Sequence, residues 1–472
     1  MKLFLKRKKD TISSLTKTRP RKLSKPLKLA GKILILVFIA LSILAAGIYI
    51  GQKNQKYSLH ALLPKISFKA TPQKDTDAQF FSEIYNLIKN DYWDKDMDDT
   101  ALSNLYLLAI QKLTSKAQVI TSQDEQGIEK LIKEATKTMD PKHKIAFIAQ
   151  VSDVVLQNLQ PFGRSRLYGE KMITDIQNEV KNANPGKNLY DNLKVSNSSP
   201  QQEIAIAYKS RMNELQSQKQ TPEVSQKMQE VQRAYDTIGD IEARKTYDVS
   251  GVESTISYKL ISPRIFYMHF TRFSPTSLED INRSAEKVNQ GDELDTLIFD
   301  LRDNIGGLVD GLPYFLGPFI GPDQYAYQLF SRGETTDFKT KLGWLPSLVR
   351  YKKVIVLING GGQSSTEVFA ATLKKYNVGI LVGTKTKGWG TIEKIETLKT
   401  QPNPQEKYSV LLVQQLTLRE DGQPIEGLGV EPNINIANEG WENELFRRFN
   451  SQEIVNTVKE LLKPDIAALP KK

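Results

Sequence analysis

The chain of 472 residues contains no cysteine. Disulfides, thiol nucleophiles and cysteine-ligated metal are therefore excluded, and no cofactor is expected. Beyond residue 32 the chain also lacks net charge. Residues 1–32 hold twelve Lys/Arg against one Asp, and their charge of +11 equals that of the whole chain, so residues 33–472 sum to zero. A general polyanion binder is thereby excluded for the globular part, and nucleic acid is not an expected partner. Residues 124–181 contain few glycines and prolines and continue a helical periodicity.

What is present begins with an uninterrupted apolar run from Ile33 to Ile50. Eighteen such residues are about enough to cross a bilayer as a helix. The basic flank precedes the run, so the positive-inside rule places residues 1–32 in the cytoplasm, against anionic lipid headgroups. A transmembrane helix is expected over 33–51, with the bulk of the chain outside a bacterial-type cell membrane. A cleaved signal peptide would need an unusually long basic region, and no clear small-x-small cleavage site follows. A cysteine-free bulk domain outside the membrane suggests a bacterial envelope protein.

Residues 52–76 are polar, contain Pro64 and Pro72, and read as a linker. Residues 77–181 read as a helical region: Phe81, Ile84, Tyr85 and Ile88 recur at helical spacing, as do Leu102, Leu105, Ala109 and Leu113. This region is expected to act as a helical spacer. Asn182 to Gly186 breaks the pattern, and two helical segments follow near 200–216 and 223–238.

Within 182–251, Asn188 to Val195, Glu203-Ile204 with Ala207-Tyr208, and Val231 to Asp248 resemble a DnaJ-type J-domain. The resemblance implies a helical hairpin. J-domains stimulate their ATPase partner through His-Pro-Asp after the second helix, and this chain has Gln216-Ser217-Gln218 there. The segment is expected to serve structure or docking.

From about Thr255 the pattern alternates between strands and helices, as in an α/β core. Strands are expected at Ile265–Phe270, Leu294–Leu301, Val354–Ile358, Gly379–Val382 and Tyr408–Leu418, and helices at Ser277–Val288 and Ser364–Lys375. The strand at 354–358 runs through Gly360-Gly361-Gly362-Gln363 into a helix beginning near Ser364. A serine at such a corner is exposed beside free backbone N–H groups. Ser364-x-x-Glu367 also fits a capping box, which needs no catalysis to explain it. A second strand ends in the turn Asp300-Leu301-Arg302-Asp303-Asn304-Ile305-Gly306-Gly307, which can supply another N–H.

These motifs, with Gly383 to Glu393 and Gly427-Leu428-Gly429-Val430-Glu431-Pro432-Asn433, resemble the C-terminal processing (tail-specific) serine proteases over about 255–436. The resemblance implies a ClpP/crotonase-like α/β protease core over 252–440, followed by a C-terminal helix and tail over 441–472. It implies Ser364 as nucleophile, Gly306, Gly307 and Ser365 around the oxyanion, and unfolded or extended polypeptide as partner. The family's lysine base falls on Trp389 and its glutamine on Glu393. A serine needs a base within hydrogen-bond reach, and an indole offers one N–H donor and no basic nitrogen. Substitute bases are Lys387, two residues away, then Lys385, Glu393 and His269. The family usually inserts a PDZ domain where the J-like segment stands. Three readings follow: a membrane-anchored protease with a rearranged base, a pseudoprotease that binds peptides, and a scaffold docking through the J-like hairpin.

Overall fold

The computed structural model describes residues 76–288, 293–402, 406–419 and 421–469. The basic tail, the apolar run at 33–50 and the linker lie outside these residues. Among the described residues no helix is long and apolar enough to cross a membrane.

Four helices come first: α1 (Thr76–Asp91), α2 (Asp99–Thr114), α3 (Glu125–Ala135) and α4 (Pro141–Gln157). Asp98, Asp124 and Asp140 cap the last three by accepting backbone N–H groups of the first turn. Strand β1 (Arg166–Gly169) and helix α5 (Glu170–Lys181) follow. The helical spacer expectation needs correction. β1 pairs antiparallel with a long strand of the core, β10 (Tyr408–Leu418). Phe80, Ile84, Tyr106, Val151 and Leu156 share one apolar cluster with Val410, Leu412 and Val413 of that strand. The amphipathic faces that looked like spacer helices bury themselves against the sheet.

The J-like module comprises α6 (Leu189–Leu193), α7 (Gln201–Gln216), α8 (Pro222–Ile238) and α9 (Ile241–Ser250). It has a small core of its own, built on Leu189, Leu193, Ile204, Val231, Ala234 and Ile238. Its two ends meet, with Ala183 bridged to Val252 and Glu253 N–H donating to Asn182 O at 2.9 Å. That is the closure expected of a module set between neighbouring elements.

The core contains β2 (Ile256–Ser262), β3 (Ile265–Phe270), α10 (Ser277–Lys287), β4 (Thr296–Asp300), α11 (Leu312–Ile320), β5 (Tyr325–Ser331), β6 (Glu334–Lys339), α12 (Pro346–Val349), β7 (Lys353–Ile358), α13 (Ser365–Lys375), β8 (Ile380–Gly383), β9 (Thr391–Thr397), β10, β11 (Ile434–Asn435), α14 (Trp441–Phe449), α15 (Gln452–Leu461) and α16 (Lys463–Ala468). One sheet has the order β11-β8-β7-β4-β3-β2, parallel except for the β2–β3 pair. Its central strand β4 is covered on both sides. Leu297 and Phe299 of β4 meet Phe270, Phe315 and Phe369, while Ile298 between them meets Trp441, Leu445 and Val458. Side chains alternate across a strand, so a continuous apolar run fits a sheet buried on both faces. The second sheet is antiparallel, in the order β1-β10-β5-β6, with β9 also on β10. The loops at the C-terminal ends of β4, β7 and β8 carry the turns that matter below. This is where open α/β sheets place ligands.

Candidate active site around Ser364

Ser364 precedes α13 with φ 57° and ψ −127°. A left-handed φ on a serine costs of order 1–3 kcal/mol and persists only where the surroundings impose it. The surroundings are specific. The Ser364 N–H donates to Trp389 O at 3.1 Å and to Glu367 Oε2 at 3.0 Å. Gly306 lies so close that a Cβ there would stand 2.8 Å from Ser364 Cβ. Glycine at 306 is thus required by contact as well as by its φ of 87°.

The turn after β4 is held by Asn304, which is fully buried. Its Nδ2 donates to Phe270 O, and its Oδ1 accepts from Gly306 N–H at 2.9 Å and from Thr366 Oγ1 at 2.7 Å. Among the described residues, the amides of Gly307 and Ser365 meet no acceptor. Of the three residues expected around an oxyanion, Gly306 has its N–H committed to Asn304, and Gly307 and Ser365 keep theirs available. A single side-chain hydrogen bond makes that distinction, and no sequence pattern reveals it.

Glu367 ties the Ser364 turn to the opposite loop. It is completely buried, and its carboxylate accepts four donors: Ser364 N–H at 3.0 Å, Trp389 N–H at 2.7 Å, Gly388 N–H at 2.7 Å and Thr386 Oγ1 at 2.5 Å. Burial pushes its carboxyl above the ordinary value, and the four donors oppose that rise. The capping pattern is visible in the sequence, but the other half of this arrangement lies some twenty residues away.

Arg302 grips Asp300 through Nε and Nη2. It also donates from Nη1 to Leu461 O at 2.7 Å and to Asp465 at 2.6 Å. Asn359 bridges Asp303 and Asp465. The C-terminal helices therefore brace the turn that presents Gly307.

Residues 264–436 match peptidase family S41. Residues 264–436 form a peptidase family S41 domain. Residues 188–248 match the DnaJ domain. A carboxy-terminal-processing protease of Bartonella bacilliformis is 27% identical over 209 residues, 42% of this chain and 45% of that protein. A probable CtpA-like serine protease of Staphylococcus haemolyticus is 29% identical over 172 residues, 36% of this chain and 33% of that protein. The chain thus spans less than half the length of these curated relatives. The solved photosystem II D1 C-terminal processing protease aligns over 77% of this chain and 93% of its own, with 12% identity and a TM-score of 0.44.

In this S41 domain the side chain of Trp389 is fully engaged. Its Nε1–H donates to Glu393 Oε1 at 3.0 Å, and Glu393 also accepts from Thr391 Oγ1 at 2.5 Å. Burial raises the Glu393 carboxyl above its ordinary value, against these two donors and the charge of Arg164. The guanidinium of Arg164 lies 3.5 Å from the indole centroid and pairs with Glu426 at 3.0 Å. Glu426 in turn accepts from Gly390 N–H at 2.7 Å. Arg164 comes from the loop after α4, 225 positions before Trp389, and nothing in the sequence marked it.

The residues expected as substitute bases each have other partners. Lys387 is exposed, donates to Gln363 Oε1 at 2.5 Å and stands 4.8 Å from the Trp389 ring centroid. Lys385 pairs loosely with Glu431 at 3.8 Å. His269 Nε2 faces Arg302 O at 3.4 Å, on β3.

Proposed function

We propose that this chain is a membrane-anchored, extracytoplasmic protein of the tail-specific peptidase type, one that binds extended polypeptide and whose proteolysis is impaired. The anchor is the apolar run at 33–50, and the basic residues 1–32 rest on anionic lipid. Ser364 stands at the nucleophile position, with the Gly307 and Ser365 amides as oxyanion donors.

One observation carries the reading: the position of the family's lysine holds Trp389, whose single polar atom donates to Glu393. Ser364 has no basic nitrogen there to take its proton. Losing the base of a serine protease costs about a million-fold in turnover. Lys387, two residues away, is exposed and its amine already donates to Gln363 Oε1. The donors that would orient a peptide carbonyl remain, so binding outlasts cleavage.

The test uses the full chain in detergent micelles with an unfolded polypeptide, followed by intact-mass measurement. The expected result is binding without Ser364-dependent fragments, and the same mass profile for Ser364→Ala. Cleavage at about 1 per second or faster, abolished by Ser364→Ala, would overturn the proposal.

A further inference from the structure

The seam between the J-like module and the core forms a half-open cavity of about 980 Å³. α7 and α8 contribute Met212, Met228, Arg233 and Asp236. α5 and its exit contribute Asp175 and Glu179, the lead-in to β2 contributes Glu253, and the core side contributes His269, Arg272 and Asp303. Five carboxylates thus face two guanidinium groups and one imidazole.

Both guanidinium groups already have counter-ions. Arg233 lies 3.1 Å from Glu253. Arg272 donates to Glu179 O and stands 3.9 Å from its carboxylate. Asp236 is different. Its partners are neutral: Gln232 Nε2 at 2.7 Å and the Ser257 hydroxyl. A carboxylate held at a cavity wall without a cation is electrostatically incomplete, and burial pushes its carboxyl up to about 7. Met212 and Met228 offer flexible, polarisable walls that suit an unbranched methylene stem.

We infer that this cavity binds an alkylammonium group on an apolar stem, with Asp236 as its counter-ion and the two thioethers along the stem. A lysine side chain of an extended polypeptide and a free diamine share this chemistry. The site is separate from Ser364, and its occupancy does not depend on any cleavage.

The test is calorimetry on the full chain in detergent with two probes: cadaverine, and a blocked peptide with one lysine flanked by glycines. Asp236→Asn is the first variant. It replaces the carboxyl with a neutral amide of the same shape, so it is expected to fold, and thermal unfolding verifies that. Loss of a charge-assisted contact predicts about tenfold or greater weakening. Met228→Ser is a second variant, which shortens the wall without touching charge and predicts weaker binding of both probes. Asp236-dependent binding of the peptide alone assigns the site to polypeptide lysine, and binding of cadaverine alone assigns it to a free diamine. Either result supports the inference. No heat with either probe at millimolar concentration, or equal affinity in Asp236→Asn, would overturn it.

Discussion

Replacing Glu367 by alanine should detach the loop 386–389 from the Ser364 turn. Four donors converge on this carboxylate, three of them backbone N–H groups. Each buried donor left unsatisfied costs about 1–3 kcal/mol. Water entering the vacated space recovers part of that, so a net loss of about 4–6 kcal/mol is expected. This is comparable with the whole stability of an ordinary domain, about 5–15 kcal/mol. The cheaper response is local opening of the loop. Glutamine is no safe substitute. Its amide oxygen can serve two of the four donors, while its NH₂ group confronts the others. Thr386 Oγ1 can turn to accept, although it already accepts from Val430 N–H at 2.7 Å. The remaining backbone N–H cannot turn, so Glu367→Gln should cost about 2–4 kcal/mol. Amide hydrogen exchange read by mass spectrometry measures both variants through the protection of segments 362–368 and 386–390. Protection should fall strongly in Glu367→Ala and partly in Glu367→Gln, while the β4 segment stays protected. Unchanged exchange at 386–390 in Glu367→Ala would refute the reasoning.

Two further outcomes follow from the same structure. Asp236 has its carboxyl raised to about 7 by burial, while the unfolded chain releases that proton near the ordinary value of 3.8. Between about pH 4 and pH 7 the folded state holds the extra proton, so this group's stabilising contribution is present at low pH and lost as pH rises, by up to about 4 kcal/mol. Urea unfolding across that window should show the decline, and Asp236→Asn should flatten it. Arg302→Lys should break the fork that joins Asp300 to Leu461 and Asp465. One ammonium cannot replace that planar set of donors, and a loss of about 3–5 kcal/mol is expected, read as rapid proteolytic clipping within 450–469.

What the sequence disclosed was local. The strand, glycine turn and helix around Ser364 occupy about twenty consecutive residues, so their pattern is readable, and β3, β10 and the hairpin helices α7 and α8 fall at the expected places. β1 was hidden because four residues inside a helical stretch carry no alternation of their own, and only pairing with β10 makes them a strand. The 77–181 helices showed their apolar faces but not what those faces cover. At the site, Ser364 and Trp389 were legible through motif spacing. Arg164 was not, because a stacking contact across 225 positions leaves no periodic trace. Gly306 and Gly307 look alike in sequence, and the Asn304 side chain alone separates their amides.

The account rests on a missing proton acceptor at 389, and the rate of Ser364 phosphonylation tests it most directly. A fluorophosphonate probe would be added to the full chain in detergent, beside Ser364→Ala and the double variant Trp389→Lys with Glu393→Gln. Labelling of the natural chain should match that of Ser364→Ala, and the double variant should label at Ser364 much faster. Rapid labelling of Ser364 in the natural chain, not increased by the double variant, would contradict the account.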